Sequence, residues 1–123
     1  MSSKPARAFV NKPGRRLRRN PRFRSSFPVL VTLLVTGGYE RLEAHCKDLS
    51  EAGIGVLVAA ELSSGEVVSL NFTLPCLPEP WEVRSVLRHR RGYHYGFEFL
   101  SLSSEQGTIL QRYIQGLERA DFD

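Results

Sequence analysis

The sequence has no uninterrupted apolar stretch approaching the roughly 20 residues that cross a bilayer as a helix. The longest apolar run, Pro28 to Val35, is interrupted by Thr32 and followed by Gly37 and Gly38. It is short, rich in β-branched residues and lacks a small-residue cleavage site, which argues against a secretory leader and for a strand in a cytoplasmic protein. Cysteine is scarce: only Cys46 and Cys76 are present. Without CxxC spacing or a nearby histidine pair they signal neither zinc nor a disulfide framework, and two reduced, partly buried thiols are expected. His45 precedes Cys46, but strand neighbours point to opposite faces and cannot easily chelate one ion together. Catalytic patterns are missing too. There is no GxSxG elbow, no P-loop and no dinucleotide fingerprint. Glu40, Glu43, Asp48 and Glu51 cluster in the way a solvated face does, with nothing to suggest an acid–base pair. Neither an enzyme nor a resident cofactor is expected.

What is present fits one compact domain. The chain has 123 residues, 41% of them hydrophobic and 24% charged, which is enough to bury a core and too short for a second substantial domain. The net charge of +4 hides an asymmetry. Residues 1–24 hold nine basic side chains and no acidic one, which leaves the rest with eight basic against thirteen acidic. The leader is cationic and the body mildly acidic, so an anion is the expected partner of the leader. With Pro5, Pro13 and Gly14 and no apolar period, residues 1–17 read as a flexible arm, 18–118 as the domain and 119–123 as a tail.

From Phe27 onward the pattern is that of β-structure. Runs at Pro28–Thr36, Tyr39–Lys47, Gly53–Ala59, Glu66–Leu74, Trp81–His89 and Tyr93–Leu100 are separated by short turn segments such as Gly37-Gly38 and Arg91-Gly92, which implies antiparallel neighbours. In the fifth run Val83, Ser85, Leu87 and His89 alternate with Arg84, Val86 and Arg88; in the sixth Tyr93, Tyr95, Phe97 and Phe99 alternate with His94, Gly96 and Glu98. The aromatic face is expected in the core, with Trp81 in the core or at its rim. After Leu102 the period becomes helical, gathering Ile109, Leu110, Tyr113, Ile114 and Leu117 on one face, and Ser103 with Gln106 fits a capping box. A helix this short must pack its stripe on the sheet or on a partner.

Two segments carry the chemistry. The first is Arg18-Arg19-Asn20-Pro21-Arg22, whose guanidinium forks match phosphate oxygens and can stack on flat bases. The second is Asp48-Leu49-Ser50-Glu51-Ala52-Gly53, where an aspartate and a serine close a turn while offering oxygens, and the glycine permits close approach. Together, RxxxR at Arg18 and Arg22 followed by DxSxxG at Asp48, Ser50 and Gly53 resemble the PilZ domain family. The resemblance continues through Ile54-Gly55-Val56, Tyr95-Gly96-Phe97-Glu98-Phe99 and the terminal helix.

The resemblance implies an all-β core with a C-terminal helix: a six-stranded antiparallel β-barrel followed by one amphipathic helix. It also implies a non-catalytic receptor for the bacterial second messenger cyclic di-GMP. Arg18, Arg19 and Arg22 would grip phosphate and meet guanine, Asp48 and Ser50 would face the second base, and Gly53 would shape the turn. Arg88 and Gly96, on late strands, would line the same surface. Leu17, where another arginine could have engaged a second stacked ligand, points to one ligand molecule. A downstream effector protein, which the sequence does not name, would read the bound state. The competing readings are a nucleic-acid-binding barrel, weakened by the acidic body, and a PilZ-like adaptor that binds only protein.

Overall fold

The computed structural model describes residues 20–120. Six strands run in order: β1 Phe23–Val35, β2 Gly38–Leu49, β3 Gly53–Leu57, β4 Val67–Phe72, β5 Trp81–Arg91 and β6 His94–Phe99. One helix, α1, spans Ser104–Gln115. All strand pairs are antiparallel, and the sheet closes in the order β1-β2-β3-β6-β5-β4 with β4 returning to β1. Closure leaves no sheet edge to be covered. The expected six-stranded barrel with a C-terminal helix is therefore the observed fold.

The barrel is filled from the alternating positions. Phe27, Val29, Val31 and Leu33 of β1 are buried, as are Val68, Leu70 and Phe72 of β4 and Tyr95 and Phe97 of β6. Tyr95 is fully buried because its hydroxyl is satisfied: it donates to the Ala60 carbonyl at 2.6 Å and accepts from the Leu62 amide at 3.1 Å. Phe72 gathers Phe27, Trp81 and Phe99 around it with ring centroids 5.5–6.4 Å apart, which puts the half-buried Trp81 at the core's rim. The helix begins at the expected capping box, with the Gln106 amide donating to Ser103 Oγ and the Ser103 amide to Gln106 Oε1. It buries Leu110 and Ile114 in the same core, with Ile109, Tyr113 and Leu117 packed beside them.

Several expectations change. β1 starts at Phe23, earlier than the apolar pattern suggests, because Phe23 pairs with Leu49 and Arg24 with Asp48 across a bulge that precedes Phe27. Arg119 and Ala120, assigned by sequence to a tail, also bond to the start of β1: Arg119 bridges Phe23, and the Ala120 amide donates to the Arg22 carbonyl at 2.8 Å. Tyr93, expected in the core, is 54% exposed. It follows Gly92 (φ 62°) in the β5–β6 turn, before the pairing of β6 begins. His89 is exposed rather than core-facing, since the β5–β6 register shifts between Leu87 and His89. Cys46 is fully buried and Cys76 is exposed, instead of both being partly covered. The assignment of residues 1–17 to an arm lies outside the described residues, and so do Arg18 and Arg19.

Candidate functional site

The start of β1, the end of β2, the β2–β3 turn and the bulged part of β5 meet on the outside of the barrel. Arg22 lies just ahead of β1 and Asp48 near the end of β2, 26 positions later. The β1–β2 pairing carries both past one another, and Arg22 Nη1 donates to Asp48 Oδ1 at 2.5 Å. Both side chains are largely covered, at 13% and 15% exposure, so solvent screens this pair less than an ordinary surface ion pair. His94 of β6 sits on the other carboxylate oxygen, with Nε2 3.2 Å from Asp48 Oδ2. Arg22 Nη2 is in turn 3.4 Å from His89 Nε2. A chain of contacts thus runs His89, Arg22, Asp48, His94, joining β5, β2 and β6 through the segment just ahead of β1.

Two glycines make room for this chain. Gly55 pairs with Asp48 on one side and with Gly96 on the other. A Cβ on Gly55 would come within 2.6 Å of Asp48 Oδ1, and a Cβ on Gly96 would overlap the His89 ring. The carboxylate and the imidazole therefore lie over a floor without side chains, which no β-branched strand residue could supply. Gly53 meets a different constraint: a Cβ there would collide with the Phe97 carbonyl, so this glycine permits close approach of β3 to β6.

Beside the pair opens a groove of about 370 Å³ lined by Asn20, Arg22, Ser50, Ala52, Gly53, Arg88, His89, Gly96, Phe97 and Glu98. Five of the residues singled out by sequence, Arg22, Ser50, Gly53, Arg88 and Gly96, thus share one surface, and Asp48 is joined to it through Arg22. Ser50 lines the groove and also fixes the turn beside it. It is 3% exposed, and its hydroxyl accepts from the Gly53 amide at 3.0 Å and the Ala52 amide at 3.2 Å, which fixes the β2–β3 turn. Arg88 is exposed at the groove and donates to Glu98 Oε1 at 2.6 Å.

The local charge is felt by the core. Burial, and then the adjacent Asp48 carboxylate, push the Cys46 thiol far above its ordinary value, while its Sγ–H donates to the Asp48 carbonyl. Burial and the raised thiol both disfavour the thiolate, the form that binds metals and attacks electrophiles. Among the described residues no group of His, Cys, Asp and Glu could hold a metal ion, and no helix is long and apolar enough to cross a membrane.

Sequence reasoning missed His89 and His94 as members of the site. A signal was available for His94, which shares the outward face of β6 with Gly96, beside the strand that carries Gly55. For His89 there was none, since the bulge that turns it outward leaves no mark in the residue pattern.

Comparison with known proteins agrees with this architecture. An uncharacterised protein of Aquifex aeolicus (strain VF5) is 36% identical over 70 residues, covering 54% of this chain but only 34% of that relative. The PilZ domain of YcgR from Escherichia coli, solved with c-di-GMP, superposes with a TM-score of 0.61 at 20% identity over 83% of this chain and 92% of that one. The Bacillus subtilis inhibitor of motility, MotI/DgrA, gives a TM-score of 0.64 at 19% identity over 84% of this chain and 54% of that one. At such identities the structural likeness speaks for the fold. Family membership rests on the sequence itself, since the PilZ domain family model matches residues 16–116, and the chain belongs to the PilZ domain family.

Proposed function

We propose that this chain is a receptor that binds cyclic di-GMP at the Arg22–Asp48 groove and passes the bound state to a partner protein. The observation that carries the reading is that Arg22, the described arginine of RxxxR, pairs with Asp48 and lines one groove with Ser50 and Gly53 of DxSxxG, far from it in sequence. Membership of the PilZ family and the fold shared with a domain solved with c-di-GMP support it. So does the chemistry. A cyclic dinucleotide presents two phosphates and two guanine edges; guanidinium groups bind the first, and a carboxylate accepts from guanine N–H donors. In this reading Arg22 and Arg88, together with Arg18 and Arg19, hold phosphate and base, Asp48 accepts from guanine, Ser50 and Gly53 shape the turn, and Gly96 keeps the floor flat. One ligand molecule binds per chain.

Titration of the wild type, Arg22→Ala and Asp48→Ala with cyclic di-GMP at low and high salt tests the assignment. Loss of a charge-assisted contact weakens binding by about 1.5–3 kcal/mol, roughly ten- to a hundredfold. The Arg22→Ala penalty shrinks at high salt, where phosphate attraction is screened, while the Asp48→Ala penalty persists. Because the pair is largely covered, either change also costs about 1–3 kcal/mol of folding stability through the partner left behind, which thermal melting without ligand reads separately. Wild-type affinity in both variants would remove the site.

A further inference from the structure

One ring at the groove belongs to neither motif. In a regular strand Arg88 and His89 would point to opposite faces of the barrel. Here the β5–β6 register shifts between Leu87 and His89, so that both Arg88 and His89 are exposed and both line the groove. A bulge that re-aims a side chain beside a binding surface is a recurrent device of sheet proteins. The ring is also seated. The nearest atoms that a Cβ on Gly96 would meet are all of the His89 imidazole, and Nε2 stands 3.4 Å from Arg22 Nη2. The glycine and the bulge together therefore hold a flat ring beside the guanidinium that leads to Asp48.

We propose that His89 is a ligand-contacting residue of this groove, where its imidazole is a stacking surface for a purine base. The ring lies over the Gly96 backbone with Nε2 beside Arg22 Nη2, so one face rests on that floor and the opposite face is what it offers a ligand in the groove; stacking of bases on aromatic side chains is an established source of nucleotide affinity. The inference rests on the cyclic di-GMP reading above and adds to it the residue that meets a base by its face. Asp48 then meets a guanine edge while His89 covers a ring.

Calorimetric titration of the full chain with cyclic di-GMP, for the wild type, His89→Ala, His89→Phe and Arg22→Ala, tests it, with melting of each variant recorded without ligand. His89→Ala is expected to weaken binding by between about fivefold and about a hundredfold, the range set by one base–aromatic stack, with little change in melting. His89→Phe, which keeps a flat ring, is expected to retain most of the affinity. Wild-type affinity in His89→Ala together with loss in Arg22→Ala would overturn the His89 assignment and leave the receptor reading standing. Equal losses in His89→Ala and His89→Phe would overturn stacking. Absence of binding by the wild type would remove the receptor reading and this inference with it.

Discussion

Asp48 shows how one side chain can serve two ends of a fold. Its carboxylate is held outside the barrel by Arg22 and His94, while its carbonyl accepts from the buried Cys46 thiol. Two residues on the same strand thus experience opposite environments, and the two cysteines differ in the same way: Cys46 is fully buried and Cys76 exposed. Reactivity follows the thiolate, which burial disfavours. In the folded protein a thiol reagent is therefore expected to label Cys76 and spare Cys46, and both should label after unfolding, as mass spectrometry would show. The same shift sets the sign of a pH effect. Cys46 is raised above its ordinary value of 9.0 when folded, so its contribution to stability is complete below that pH and declines as pH rises beyond it, where only the unfolded chain releases the proton. Rapid labelling of Cys46 in the native protein would contradict its placement.

At the scale of elements, the helix belongs to the barrel's core. Leu110 is 1% exposed and Ile114 4%, and the segment after the helix bonds back to the start of β1. Leu110→Ala is expected to cost about 2–5 kcal/mol through lost burial and the cavity left behind, measured by denaturant unfolding. An unchanged midpoint would mean that the helix is not part of the cooperative core. The elements were legible in the sequence wherever side chains repeat regularly: Val29, Val31 and Leu33 announced β1, and Ser103 with Gln106 announced the helix start. Irregularities were not. The bulge before Phe27 hid the first residues of β1, and the one between Leu87 and His89 turned a histidine from the expected core face to the groove. A bulge depends on how two strands meet, which no single strand's pattern records. Tyr93 failed for a related reason: alternation placed it with Tyr95 and Phe97, but the turn at Gly92 takes it out of the sheet. The site was legible as far as the two motifs reach. The Gly55–Gly96 floor needed the register between β2, β3 and β6, and His89 the shifted register between β5 and β6.

At the scale of the whole molecule, charge and shape divide the work. The nine basic side chains of residues 1–24 precede a body in which acidic residues outnumber basic ones, and the groove lies where the two meet, at Arg22. An extended polyanion would be repelled by most of that body, whereas a compact dianion can sit at the junction. Selectivity for a small cyclic dinucleotide over a nucleic acid is therefore the central claim. Calorimetry of the wild-type chain with cyclic di-GMP, GTP and a short single-stranded RNA at physiological salt tests it most directly. The expected result is saturable binding of cyclic di-GMP at one molecule per chain, with GTP and RNA far weaker. Absence of cyclic di-GMP binding, or RNA binding of comparable strength, would contradict it.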